Sequence, residues 1–400
     1  MGKISNQELV EKAAIVTGNF ANAGKLNDEQ SDKFLDYVFD ETQLSSLGVR
    51  TVKFRNEKML LEKLNVANRV AVPADEAADP GLRRGISTSK IELQPKEIMV
   101  PFELGDLVKD ENIEGDKIEE TIIRLMATRL GNNIEELYIH GNSLGPAVLE
   151  NELVEGGSST LYRKDRYLGL FDGLLAQAES GHTVDAQNQQ IKPTLISRAL
   201  RAMPNKFRKD RRALKALLSW DHEQHYREGV STRATGAGDS ALAGTDAIPS
   251  FGVDLMPVSL MESNPRNVEH VTLTGTTPVQ LKHTNIEEVV VTVTAIDKNP
   301  IAAFVPTTDY VVDAAAGTIA RAAAGGISSG QTVKVTYRTG GRLIITMPKN
   351  IVVAIGRDIT IERDRNIFKR VNEFAIHAKV FITYEELDAV VLLKNILVPS

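Results

Sequence analysis

Apolar positions along this chain change their spacing from segment to segment. Leu9, Ala13 and Val16, then Phe34, Leu35, Val38 and Phe39, recur at helical intervals around a break at residues 18–24. That spacing predicts two short helices whose apolar faces need a partner. From residue 49 to about 101 the pattern becomes strand-like, with a tip rich in Pro, Gly and Asp at 73–81, flanked by 69–72 and 86–93. The tip holds too few large apolar side chains to bury a core, so this long two-stranded loop is expected to project and lie on another surface. Asp116 and Glu119 form a capping-box pair, and Ile118, Ile122, Leu125, Leu130, Ile134 and Leu137 share one helical face. They predict the longest helix, about 116–140, ending at Gly141, which suits a left-handed C-terminal position. Gly131 in its interior points to a close neighbour there.

Residues 191–262 alternate between helix and strand signals: helix at 194–203, strand at 213–219, helix at 221–229, then a loop rich in Gly, Ala and Thr ending at 251–253. The texture changes at Asn264-Pro265-Arg266-Asn267. Short alternating strands follow at 268–274, 279–283, 288–296, 308–312, 317–321 and 331–339. They predict a small β-sandwich with Val289, Val291, Val293, Val333, Val335 and Tyr337 facing inward, and Lys334, Thr336 and Arg338 facing out. After Gly340-Gly341 the mixed character returns, with strands at 343–347, 351–361, 374–383 and 389–397. The sandwich therefore reads as an insertion.

Composition narrows the class. The chain has 400 residues, 42% hydrophobic and 25% charged, enough for a sizeable core and more than one folding unit. Its 47 Lys and Arg against 53 Asp and Glu leave a net charge of −6, so contact with nucleic acid must be local. With no cysteine there is no disulfide framework, thiolate nucleophile or Cys-ligated zinc. The start of the chain runs into charge without an apolar stretch, so no secretory signal is expected. The most apolar segment, 343–361, carries Pro348, Lys349, Arg357 and Asp358, so no membrane span is expected.

Candidate chemistry is thin. His222 and His225 are one residue short of the spacing a zinc protease helix needs, and they read as part of a surface helix rather than a metal site. No histidine accompanies a Gly-x-Ser-x-Gly turn. The clusters at 236–238 and 325–326 lack the strand-to-helix setting of a phosphate cradle. Adjacent carboxylates such as Glu135-Glu136 point in different directions and make no glycosidase pair. Lys206, Arg208, Lys209, Arg211 and Arg212 put five cations in seven residues, read as a connector or intersubunit contact before a nucleic-acid site. No catalytic residue, metal or cofactor is expected, and an enzyme is the weakest reading.

An ordered series of segments carries a family resemblance. Leu104-Gly105-Asp106, the helix ending Asn132-Asn133-Ile134-Glu135-Glu136-Leu137-Tyr138-Ile139-His140-Gly141-Asn142-Ser143, and Gly169-Leu170-Phe171-Asp172-Gly173-Leu174 resemble major capsid proteins of tailed phages with the Hong Kong 97 fold. In that family the spine helix closes on a Gly-Asp pair, for which Gly141-Asn142 stands here. The series continues through 200–208, 251–258 and 348–362.

The resemblance implies an α+β capsid fold. An N-arm would span 1–50, an extended loop 51–100, a peripheral domain 101–190 and 343–400, an axial domain 191–265, and an inserted immunoglobulin-like sandwich 266–341. It implies hexamers and pentamers closing an icosahedral head around double-stranded DNA held by non-specific contact. Portal, and scaffolding or decoration proteins, would be further partners, with the virion, assembled in the bacterial host cytoplasm, as location. Asp75, Glu76, Asp79, Arg83 and Arg84 on the extended loop would contact neighbours. Residues 73–89 contain no lysine, so the covalent cross-link of some family members is not expected. An encapsulin-type nanocompartment is the alternative, and an adhesion protein using the sandwich a third reading.

Overall fold

The computed structural model describes residues 14–15, 47–53, 59–65, 87–105, 118–232, 248–294 and 299–399. Two mixed sheets form the body. The first is five-stranded, in the order Ala14–Ile15, Lys96–Gly105, Val371–Tyr384, Ile351–Asn366, Arg50–Lys53. The short Ala14–Ile15 strand, parallel to Glu103 and Leu104, stands where helical spacing was predicted. An open sheet edge offers unpaired amides and carbonyls that outweigh a weak local preference. The rest of that prediction lies outside the described residues.

Val371–Tyr384 alternates buried and half-buried positions along its length, so one row of side chains faces the core. Phe102 and Phe374, opposite each other in register, stack with centroids 4.9 Å apart. Helix α1, Ile118–His140, lays Ile122, Leu130, Leu137 and Tyr138 into the same core.

The end of α1 departs from expectation. Gly141 is absent from the residues with positive φ. Its glycine is required by space: a Cβ would fall 2.6 Å from the carbonyl oxygens of both Leu137 and Phe171. Gly173 faces the same crowding from Tyr138 O at 2.7 Å, and its amide donates to Gly141 O at 2.8 Å. The two glycines let the helix end butt against the loop leading to the short helices that follow. Gly131, by contrast, has no neighbour within 4 Å of a built Cβ.

The second sheet is six-stranded, in the order Pro249–Ser250, Val253–Pro257, Lys215–Leu218, Gly341–Thr346, Val391–Ile396, His182–Gln189. Among the described residues four further helices complete the body: α2 Glu150–Leu153, α3 Leu174–Ala178, α4 Pro193–Ala202 and α5 Trp220–Ser231. Leu195, Ile196, Ala199 and Leu200 of α4 and Tyr226 and Val230 of α5 pack with Leu218, Leu255, Leu343, Ile345 and Leu393 into a second core. The return from the insertion is divided between the sheets. Residues 351–384 build the first, whereas 341–346 and 391–396 build the second.

In the segment between the body strands, Arg266–Leu273, Gln331–Arg338 and Glu287–Val293 form one three-stranded antiparallel sheet. Val279–Gln280, Thr318–Arg321 and Tyr310–Asp313 form another. Val271, Leu273, Leu281, Val291, Ile319, Val333, Val335 and Tyr337 fill the space between them. Lys334 and Thr336, expected in solvent, are instead 1% and 3% exposed. That face of the sandwich lies on the body, and its polar side chains satisfy carbonyls and amides there.

Met59–Asn65 and Ser87–Leu93 pair as an antiparallel ribbon rooted on the first sheet, where Leu93 and Ala354 are fully buried. Among the described residues no helix is long and apolar enough to cross a membrane.

Candidate interaction surfaces

The sandwich meets the body through a buried polar network. Glu179, at the C-terminus of α3, accepts from Arg342 Nη2 at 3.0 Å and lies 3.4 Å from His283 Nε2. Arg342 also donates to Asn267 Oδ1, and its Nη2 is 3.2 Å from His283 Nε2. Tyr337 donates to Glu269 Oε1 at 2.5 Å. Its single proton is thus committed, so His283 Nδ1 must be the donor across the 3.0 Å contact with Tyr337 Oη, and Nε2 the acceptor from Arg342. Burial lowers the His283 pKa to about 4, so at neutral pH the ring is uncharged. Burial alone would raise Glu179, but the charges of Arg342 and Lys282 outweigh it and hold the carboxylate at about 2.

A second set of ties runs from Lys334 Nζ to the carbonyls of Leu144 at 2.8 Å and Gly145 at 3.1 Å. Ala147 N donates to Thr336 Oγ1 at 3.0 Å. Tyr162 and Ile301 exchange both backbone hydrogen bonds, extending a short body ribbon onto the insertion.

Beside this junction lies a cavity of about 330 Å³ lined by Glu136, Glu152, Asp165, Glu262, Arg266 and Arg338, among others. Burial, then the charges of Asp165 and Glu262, raise the Glu136 pKa, and burial raises that of Asp165. Arg266 and Arg338 offset part of the charge of these four carboxylates.

The helix carrying His222 has an exposed face, as a surface helix does, but His222 is on its inner one. It is fully buried, its Nδ1 2.6 Å from Oγ of the N-cap Ser219. The imidazole occupies the space over Gly341, where a Cβ would come within 2.0 Å of it. Burial lowers its pKa to about 4. Among the described residues no group of acidic or histidine side chains is placed to hold a metal ion.

The cationic segment is exposed at Lys206, Lys209, Arg211 and Arg212 and half-buried at Arg208. Lys206 lies 3.5 Å from Asp388 and over the Phe207 ring at 4.5 Å. Arg208 and Arg211 turn toward α4 and, with Arg201, rim a concavity of about 250 Å³ floored by Leu200 and Leu214. Phe251 stands at its edge. Asp75, Glu76, Asp79, Arg83 and Arg84 lie outside the described residues.

One apolar feature escaped the sequence reading. The turn joining the two longest strands exposes Ile367 at 76% and Phe368 at 101%. Both stand at the tip of the hairpin, flanked by Lys369 and Arg370, and none of the described residues covers them.

No family model matches the sequence. The chain is 24% identical over 387 residues to the putative prophage capsid protein YqbE of Bacillus subtilis (strain 168), spanning 96% of this chain and 97% of that protein. Among solved structures, a chain of the satellite phage P4 procapsid, which includes the size determination (Sid) protein, aligns over 98% of both chains. Its TM-score is 0.50 at 9% identity, a likeness of fold. The holo-SrpI encapsulin complex of Synechococcus elongatus PCC 7942 aligns over 100% of this chain and 98% of that one, with TM-score 0.49 and 10% identity.

Proposed function

We infer that the chain is the major capsid protein of a tailed bacteriophage, a structural and non-enzymatic subunit of the virion shell. The observation that carries this reading is the end-to-end likeness to a prophage capsid protein, 96% of one chain against 97% of the other. A shared fold with a procapsid chain agrees with it. So does the fully exposed Phe368, an apolar side chain whose burial in an interface is worth about 1.5–3 kcal/mol per copy.

In this reading the chain has the Hong Kong 97 architecture. Residues 1–50 are the N-arm and 51–100 the extended loop. The first sheet with α1 as spine is the peripheral domain, the second sheet the axial domain, and 266–341 an immunoglobulin-like insertion. Hexamers and pentamers close the head around double-stranded DNA, with a portal and scaffolding or decoration proteins as partners. Individual exposed ion pairs contribute about 0–1 kcal/mol, so strength comes from summed contacts across interlocked copies.

Electron microscopy and sedimentation velocity of the purified chain test the reading. Closed multi-subunit shells are expected, and the Ile367→Ser/Phe368→Ser variant should keep its circular dichroism while remaining small. DNA within the particles supports a virion, whereas enclosed enzyme cargo would move the assignment to a nanocompartment. Small open oligomers would favour the adhesion reading, and a solitary monomer at high concentration overturns both shell readings.

A further inference from the structure

Trp220, the chain's only tryptophan, is the first residue of α5 and is 51% exposed. It lines an open concavity of about 340 Å³ together with Asp221, Ser259, Glu262, Ser263 and Arg338, among others. That size falls within the range of small-molecule sites, about 300–1,000 Å³, and its position between the body and the root of the insertion is one where such sites recur. Among the described residues no ring or cationic side chain lies on the indole. The Asp221 carboxylate and the hydroxyls of Ser259 and Ser263 likewise have no hydrogen-bond or ion-pair partner among those residues. Arg338 reaches in from the last strand of the insertion and pairs with Glu262 at 3.2 Å. An aromatic face and several uncommitted polar groups therefore open onto one space.

We propose that this concavity binds a neutral saccharide, with one pyranose ring on the Trp220 indole and its hydroxyls shared among Asp221, Ser259, Ser263 and the Glu262–Arg338 pair. The site goes beyond the capsid reading and is complete within one chain. Charge and polarity select the ligand. Asp221 and Glu262 oppose an anion, while Arg338 and the positive N-terminal end of α5 oppose a cation. An uncharged ligand meets neither penalty. An apolar segment would find little to cover, since Met261, the other large apolar group of the lining, is 4% exposed. A pyranose presents a face of C–H bonds and a rim of hydroxyls that both donate and accept. That combination matches an indole ringed by carboxylate, hydroxyl and guanidinium groups.

Indole emission reports on the site directly, because no other tryptophan contributes. Titrating the dissociated full-length chain with maltotriose, cellotriose and triacetylchitotriose should give a saturable change in emission with at least one of them. Asp221→Ala keeps the indole and is expected to weaken that binding by about tenfold or more, with circular dichroism unchanged. Trp220→Ala should lose retention on beads bearing the same sugar. No response to any of the three sugars overturns the inference, as does either variant binding at wild-type strength. A response to trilysine and to no sugar reassigns the concavity to a cationic segment. If shell formation shields the indole from acrylamide quenching, the surface lies between copies and the saccharide site is also overturned. The titration needs no shells, so failure of the capsid reading would show separately in the sedimentation of the purified chain.

Discussion

Arg342 and Glu179 meet at 3.0 Å with the guanidinium 3% exposed, and they come from different parts of the body. Glu179 ends a short helix of the first core, and Arg342 opens the strand that follows the insertion. Asn267 and His283 of the sandwich close around them. The pair is a shared hub, so the attitude of the insertion is set by a charge interaction that neither partner can leave cheaply.

Breaking one side of the hub is expected to be severe. Arg342→Met strands a buried carboxylate and should cost about 3–5 kcal/mol in urea unfolding of the dissociated chain. Combining it with Glu179→Leu removes the stranded charge and should recover part of the loss, read as a coupling energy in a double-mutant cycle. Strictly additive losses would show that the two groups act apart.

Stability should depend on pH in two steps. His222 and His283 are each held at about 4 by burial, against 6.5 when unfolded. Between those values the unfolded chain takes up protons that the folded chain refuses. Stability therefore falls as pH drops from 6.5 to 4, by on the order of 3 kcal/mol per histidine in full. Glu179, held at about 2 against 4.5, contributes stability that is present above 4.5 and lost as pH falls toward 2. Tm of the dissociated chain measured from pH 7.5 to 4.5 should decline, and His283→Gln should flatten the curve. A wild-type profile level across that window contradicts the assignment.

Lys334 caps two body carbonyls from the face of the sandwich. Lys334→Met keeps the apolar stem and removes the donor, leaving Leu144 O and Gly145 O unsatisfied at about 1–3 kcal/mol each. Hydrogen exchange at the Ala147 amide, bonded to Thr336 Oγ1, should accelerate while exchange within Val371–Tyr384 stays slow. Unchanged exchange at Ala147 would mean the junction holds without the lysine.

Phe251 stores strain at the rim of the cationic concavity. Left-handed backbone at a bulky residue costs about 1–3 kcal/mol, and asparagine at that turn position relieves it. Phe251 has a φ of 53°, so Phe251→Asn is expected to raise Tm of the dissociated chain. An unchanged or lowered Tm would show that the turn holds the aromatic ring without strain.

Much of the secondary structure was legible because alternation and helical spacing are strong where each element buries one face. The strands of the sandwich and helix α1 lie close to their predicted spans. Lys334 and Thr336 were misplaced for a physical reason: an alternating polar row looks the same whether it faces water or another surface lined with carbonyls. Gly141 was read as a turn residue, yet it is needed because two backbones meet there, and nothing local announces a partner thirty-two residues on. The hub of Glu179, His283 and Arg342 was invisible because its members are far apart in sequence and each alone is an ordinary polar residue. His222 misled in the same way, since the space it fills is created by Gly341.

The insertion leaves and rejoins the body through neighbouring strands. Arg266 stands opposite Arg338 in register, and Thr339 N donates to Pro265 O at 3.2 Å. The two seams lie side by side, yet removal of the sandwich would also strip Leu144 O and Gly145 O of their donor and the buried Arg342 of Asn267. Any compact domain whose ends lie a strand's width apart has the geometry to be carried there. What occupies that place is therefore held to the body by side-chain chemistry as well as by its two seams.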